Sequence, residues 1–531
     1  MIKKQSEIKI NMNGHVLGSD KMFICISARP SNLEELKADA EQAKRDGCEM
    51  IEWRVDFFEE IYKADQKAED ISDIVKILNE GLRIWADITE RTPMMVCIRR
   101  FEEGGAFRFA SEFRLRVLKK MLETGLVDMV DIEFEESEEF KRNAMDIIHT
   151  YNAQLIYSEH DWTGLPDEEH ALKSLFKMQD KGADIAKYCF IVKDAEDAVI
   201  MSRIGKMVKE KNVLKIPNTI YALGEVGLFN RVIADAFGVD YMYCTIRGKF
   251  EGGAEESTED YMGIRKCYIK HEYSKSENPV CIREHVIGGE KPSVVAVLNG
   301  KDRKRLIEQA EDAMKYNPDV IEWRIDYFTP LINGLCLINT LKSTLELLSM
   351  KTNRIPFILN FPSMKQGGYK FYSDEIRERM IKACMETGYV DMIDLSMTED
   401  AIYYSRIKEL AKEHGVKLIL SEINFKITES IDEILFKMTK AQENGADIAK
   451  LIYTARQPED TVKIGMAINN AKDNGITIPV VSYAMNDSGF VSRILAERAG
   501  SALSYFSVFG SKGGKIEDIK YYQELKGILD F

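Results

Sequence analysis

The chain has 531 residues, 45% of them hydrophobic and 30% charged, with a formal net charge of −14. That length exceeds one ordinary core and points to two or more domains, while the acidic balance excludes a nucleic-acid binder, which needs a basic face. No uncharged apolar run reaches the ~18 residues of a membrane span, no apolar stretch follows the two N-terminal lysines as in a signal peptide, and nine cysteines without CxxC or metal-ligand spacing fit reduced, buried thiols in a cytosolic protein.

Eight apolar, β-like runs follow one another in the first half: MFICISA (22–28), EMIEWRVD (49–56), PMMVCIR (93–99), VDMVDIEF (127–134), QLIYSEH (154–160), DIAKYCF (184–190), NTIYALG (218–224) and YMYCTI (241–246). Amphipathic helical segments such as LEELKADAEQAKRDG (33–47) and SEFRLRVLKKMLETG (111–125) lie between them, the latter closing on a glycine. Eight strand–helix units in about 250 residues are the dimensions of a (β/α)8 barrel. No GxGxxG follows the first strand, so nothing supports a doubly wound dinucleotide fold.

The pattern then repeats. MIEWRVDF (50–57) returns as VIEWRIDY (320–327), LETGLVDMVD (122–131) as METGYVDMID (385–394), and GADIAK (182–187) at 445–450. VLGSDKMFICISARPSN (16–32) likewise parallels VIGGEKPSVVAVLNGKD (286–302). Glu52 and Glu322 are 270 positions apart, Lys187 and Lys450 are 263 apart, so the first copy carries an insertion of seven residues between its second and third strands. The expected domains are 1–275 and 280–531, two tandem barrels of the α/β class, joined near HEYSKSENP (271–279).

Barrel chemistry gathers at the C-terminal ends of the strands. In EWRVD, period-two alternation places Glu52, Arg54 and Asp56 on the interior face, either as an internal ion-pair network or as site residues. Lys187 interrupts an apolar strand; it is either a nucleophilic amine whose pKa burial lowers, or the partner of Glu52 or Asp184. His160 ends the preceding strand, a position suited to a general acid/base. After the third strand, IRRFEEGG offers Arg99 or Arg100 to an anionic or hydroxylated substrate, and Glu103 to orient His160. Arg231, expected near a helix N-terminus, is a weaker candidate for a carboxylate.

Taken in order, EWRVD, IRRFEEGG, SEHDW, GADIAK and GLFNR resemble the type I 3-dehydroquinate dehydratases across nearly all of the first copy. The resemblance implies a (β/α)8 lyase of the shikimate pathway without metal or cofactor. It implies that Lys187 forms an imine with the substrate ketone, that His160 moves the protons and that Glu103 tunes it. Glu52, Arg54 and Arg99 would then hold the ring hydroxyls, and Arg231 the substrate carboxylate. The lid departs: FEGGAEES (250–257) has Glu251 and Glu255 where the family is expected to have Ser and Gln, and carboxylates there would repel the substrate's own.

The second copy keeps Glu322, Arg324, Lys450 and Arg493, but Pro362, Gln366 and Ile423 stand where Arg99, Glu103 and His160 stand in the first. It reads as a degenerate copy and a possible intramolecular partner in a pseudo-dimer. Two other functions fit less well: an imine-forming lyase or aldolase for another polyhydroxylated keto acid, and a non-catalytic metabolite-binding protein. In every case the partner is a small molecule, with no nucleic acid and no membrane.

Overall fold

The computed structural model describes residues 5–529 apart from 65, 68, 69, 165, 211–213, 247–255, 270–274, 330–336 and 509–516. Two compact units emerge, Met1–Met262 and Gly263–Phe531. In the first, a hairpin of β1 (Ile10–Met12) and β2 (His15–Leu17) precedes eight barrel strands. These are β3 (Phe23–Ala28), β4 (Met50–Arg54), β5 (Met94–Cys97), β6 (Met129–Glu133), β7 (Gln154–Asp161), β8 (Ile185–Ile191), β9 (Asn218–Leu223) and β10 (Tyr241–Cys244).

All neighbours are parallel, in the order β10-β3-β4-β5-β6-β7-β8-β9. Between β9 and β10 the Asp240 amide donates to the Asn218 carbonyl at 2.8 Å, and Thr219 Oγ1 donates to the Tyr241 carbonyl at 2.7 Å. The sheet is thereby nearly closed into a barrel, with helices in the connections, as the eight apolar runs led us to expect.

The second unit repeats this plan with a hairpin, β11 (Val280–Ile282) and β12 (His285–Ile287), and eight strands. They are β13 (Ser293–Leu298), β14 (Val320–Arg324), β15 (Phe357–Asn360), β16 (Met392–Ser396), β17 (Lys417–Ile423), β18 (Ile448–Thr454), β19 (Val480–Met485) and β20 (Leu503–Ser507), again all parallel. Val280, Ile282 and Ile287 of the hairpin belong to the same buried apolar cluster as Val295, Ile358, Met392, Ile419 and Ile448. The hairpin thus contributes to the barrel core, and apolar burial of this kind supplies most of the fold's stability.

The alternation read in EWRVD holds to Arg54, where β4 ends. Asp56 belongs to a 3-10 turn, Val55–Phe57, rather than to the strand. Trp53 and Val55 are fully buried on the opposite side, so the charged face points into the barrel. Of the described cysteines six are buried, whereas Cys281 is exposed and Cys48 is half-buried, a partial correction to the uniformly buried thiols expected. No helix among the described residues is long and apolar enough to cross a membrane.

Candidate active site

Lys187 is the centre of the site in the first barrel. Its Nζ donates to Asp131 Oδ2 at 2.8 Å, to the Tyr243 hydroxyl at 3.0 Å and to Glu52 Oε1 at 3.4 Å. All four side chains are buried, and they come from β8, β6, β10 and β4. Burial alone would lower the Lys187 pKa, but Asp131 and then Glu52 raise it above the ordinary lysine value. This corrects the expectation of a lowered pKa: the strand alternation that buries the amine buries its counter-charges with it. Burial alone would likewise lift the Glu52 carboxyl, yet Lys187, Arg54 and the Ser27 hydroxyl hold it down at about 2. Asp184, the other partner considered, instead faces His149 at 2.9 Å and the Leu155 amide at 2.7 Å.

His160 lies two residues beyond Ser158, which is paired with Lys187 across β7 and β8, so both side chains face the interior. Its Nδ1 is 3.2 Å from Glu103 Oε2, and its Nε2, buried, has no hydrogen-bond partner among the described residues. Burial, followed by the Arg99, Lys187 and Arg54 cations, pushes the imidazole pKa well below its usual value, so the ring is neutral near pH 7. Burial and then the Glu133 carboxylate push Glu103 up to about 7. Glu103 reaches inward because the chain turns back at Gly104 (φ +88°) and because a Cβ on Gly105 would lie 2.3 Å from the Arg99 carbonyl. Only glycine fits that approach.

Arg99 places its guanidinium 5.8 Å from the Trp162 ring, and its Nη2 is buried without a partner among the described residues. Trp162 also stacks on His160, with ring centroids 5.8 Å apart. Arg54 is engaged by Asp56 through two bonds of 2.8 and 2.7 Å. Arg100 is half-buried, 3.6 Å from Glu136.

The expected placement of Arg231 needs correction. It lies in the last turn of the short helix Gly227–Val232, not at its start. The guanidinium is fully buried, donating to the carbonyls of Ala222 and Gly224 and to both oxygens of Glu256, with Nε to Oε2 at 3.1 Å. Gly227 permits this clamp, since a Cβ there would meet the Ala222 carbonyl at 2.9 Å. The carboxylate that touches Arg231 is therefore Glu256. Glu251 and Glu255, singled out in the sequence, lie outside the described residues.

Sequence reasoning missed Asp131 and Tyr243. Asp131 carried a signal, because LETGLVDMVD and METGYVDMID repeat it as Asp394. Glu52, Cys97 and Asp131 bring three ligand atoms within 4.8 Å of one another, a spacing that suits a cation. The Lys187 ammonium already supplies that charge between the two carboxylates.

Fold and site together define a tandem pair of (β/α)8 barrels, each built around a buried lysine bracketed by two carboxylates. The family model of type I 3-dehydroquinase matches residues 24–259 and 294–517, and the chain belongs to this family of carbon–oxygen lyases. It is 28% identical over 238 residues to a 3-dehydroquinate dehydratase of Syntrophotalea carbinolica, covering 45% of this chain and 92% of that one. It is 29% identical over 250 residues to one from Clostridium kluyveri, covering 46% and 96%. A crystal structure of the type I enzyme from Clostridium difficile with covalently modified comenic acid aligns with a TM-score of 0.44 at 28% identity, over 48% of this chain and 96% of that one.

Proposed function

We propose that the first barrel, within residues 1–275, dehydrates 3-dehydroquinate to 3-dehydroshikimate through an imine on Lys187. The family membership supports the overall reaction. The observation that carries the mechanism is the retention of Lys187, His160 and Glu103 together in the first copy, facing one interior.

In this reading the Lys187 ammonium passes a proton to Asp131 or Glu52, and the freed amine adds to the substrate's C3 ketone. Loss of water leaves an iminium, which acidifies the neighbouring C2–H. Glu103, when ionised, accepts a hydrogen bond from His160 Nδ1–H, which keeps the ring proton on Nδ1 and leaves Nε2 with its lone pair facing the substrate. Nε2 takes the C2 proton, then gives it to the departing C1 hydroxyl, and water hydrolyses the imine to restore Lys187. Glu52, Arg54 and Arg99 bind the ring hydroxyls. No metal or cofactor takes part.

A second reading, an imine-forming lyase or aldolase for another polyhydroxylated keto acid, is favoured by one observation: Arg231 is already held by Glu256. Either reading places the chain in the cytoplasm, with a small-molecule substrate and with residues 280–531 as a degenerate partner barrel in an intramolecular pseudo-dimer. Borohydride reduction in the presence of 3-dehydroquinate, followed by peptide mass mapping, should modify Lys187, and the purified product should be 3-dehydroshikimate. An unmodified Lys187 during turnover rejects the imine; turnover of a different keto acid in preference rejects the substrate.

A further inference from the structure

The second barrel retains the lysine but surrounds it differently. Lys450 Nζ donates to Asp394 at 2.8 Å and to Glu322 at 3.4 Å, repeating the bracket of the first barrel. Strand register confirms the exchange of residues. Ser421 pairs with Lys450 as Ser158 pairs with Lys187, so Ile423 occupies the place of His160. Gln366 ends a 3-10 turn in the place of Glu103, and Pro362 follows β15 as Arg99 follows β5. Asn299 follows β13 as Arg29 follows β3. Three basic side chains around this interior are thus replaced by uncharged ones.

A cavity of about 310 Å3 is lined by the polar side chains of Lys450, Glu322, Arg324 and Asn299 among others. Ile423, Phe425, Ile452 and Met485 add apolar surface to it. This volume falls at the lower end of the ~300–1,000 Å3 typical of small-molecule sites. One polar group there has no employment within the fold. The Tyr505 hydroxyl is buried, lines the cavity and has no hydrogen-bond partner among the described residues. Its ring lies under the ammonium, 3.9 Å from Lys450 Nζ. The matching Tyr243 instead accepts from Lys187 and donates to Glu52 at 3.1 Å. A buried hydroxyl left unpaired carries a desolvation cost that a ligand oxygen would relieve.

We infer that the second barrel is a binding site for a neutral, partly apolar ring ketone, which condenses with Lys450 and is held without being turned over. The Lys450 ammonium passes one proton to Asp394, and its nitrogen lone pair adds to the carbonyl carbon. The resulting carbinolamine loses its hydroxyl as water, with the proton returned by Asp394, and leaves a protonated C=N bond. The next step of a dehydration would take a C–H proton, and Ile423 has no basic atom to take it. Gln366 has no titrating group to support one either. An anionic ligand is disfavoured: the Arg99 and Arg29 counterparts are gone, and Arg324, which also lines the cavity, is engaged by Asp326 through bonds of 2.9 and 2.8 Å.

The test uses the full, unmodified chain, because mass mapping separates adducts of Lys187 from those of Lys450. Borohydride is added with 4-hydroxycyclohexanone or, in parallel, 3-dehydroquinate; hydride reduces the C=N bond to a stable secondary amine. The expected result is a Lys450 adduct with the neutral ketone, formed at least about tenfold faster than with the anionic one, given the cost of an unpaired buried carboxylate. No Lys450 adduct with either probe overturns the inference, as does labelling of Lys450 no faster than that of exposed lysines. Equal or faster labelling by 3-dehydroquinate overturns it as well. The two rates are compared at times before 3-dehydroquinate is consumed, so that turnover in the first barrel does not decide the outcome.

Discussion

Replacing Lys187 with alanine removes the ammonium that sits between two buried carboxylates. Glu52 and Asp131 are 4% and 2% exposed, and Lys187 Nζ reaches them at 3.4 and 2.8 Å. Removing one partner of such a cluster leaves uncompensated charge and costs ~3–5 kcal/mol. For a domain of this size that corresponds to a fall in Tm on the order of 6–20 °C. The chemical consequence is separate: without the amine there is no iminium, so turnover and trapping in the first barrel should both vanish. The two effects are told apart by measuring turnover well below the lowered Tm, and by adding Asp131→Asn to Lys187→Ala. The second change removes one orphaned carboxylate and should recover part of the lost Tm while restoring no activity. Turnover within about tenfold of wild type would refute the imine, because tenfold corresponds to only ~1.4 kcal/mol of barrel chemistry. A change in Tm of a degree or two would refute the electrostatic account of the site.

His160→Ala should leave imine trapping on Lys187 measurable while dehydration falls by ~10²–10⁴-fold; unchanged turnover would assign the proton transfer elsewhere. Glu103 is pushed up to about 7, so as pH falls through that value it protonates, donates to His160 Nδ1 and moves the ring proton onto Nε2. Turnover should therefore fall with pH through about 7, and Glu103→Gln should remove that limb; a limb that stays in place belongs to another group. Glu256→Gln weakens the clamp on Arg231 and should lower the KM for 3-dehydroquinate by roughly tenfold, the effect of ~1.4 kcal/mol, if the arginine is wanted by the substrate carboxylate; an equal or higher KM would make Arg231 a purely structural tie. Deleting residues 280–531 should cost solubility or stability of the remaining barrel, and a soluble, fully active monomer of residues 1–275 would reject the pseudo-dimer.

The barrel and its duplication were legible because both are written in local patterns: eight apolar runs, helices between them, and motifs returning at 263 or 270 residues. Lys187 was legible for the same reason, as a charge inside an apolar strand. Its electrostatics were not, since Asp131 and Glu52 lie 56 and 135 residues away and only barrel closure brings them to the amine. Arg231 illustrates the same limit, because Glu256 approaches it from beyond β10. The hairpin ahead of each barrel also went unread, although Asn13–Gly14 at the turn of the first is a recognised hairpin signal; Asn13 indeed adopts φ 52°.

The two copies serve as each other's control, and their differences sort by partner. Charged interior side chains kept in both are tied to another group: Lys187 and Lys450 to their carboxylates, Arg54–Asp56 and Arg324–Asp326, Arg231–Glu256 and Arg493–Glu517. Losing one member of such a pair strands the other in a low-dielectric interior, so selection for folding alone is enough to keep them. Side chains lost from the second copy include those with an idle buried atom in the first. His160 Nε2 and Arg99 Nη2 are unpartnered among the described residues, and their places are taken by Ile423 and Pro362. An unpaired buried donor or acceptor is a net cost unless a substrate completes it, so such groups disappear once that substrate is no longer bound. On this argument the unpaired atoms that face the barrel interior, unlike the ring nitrogens of Trp53 and Trp323 kept unpaired in both packed cores, mark where the chemistry is carried. The idle Tyr505 hydroxyl of the second barrel is of the kind that matters here, because it lines the cavity rather than a packed core.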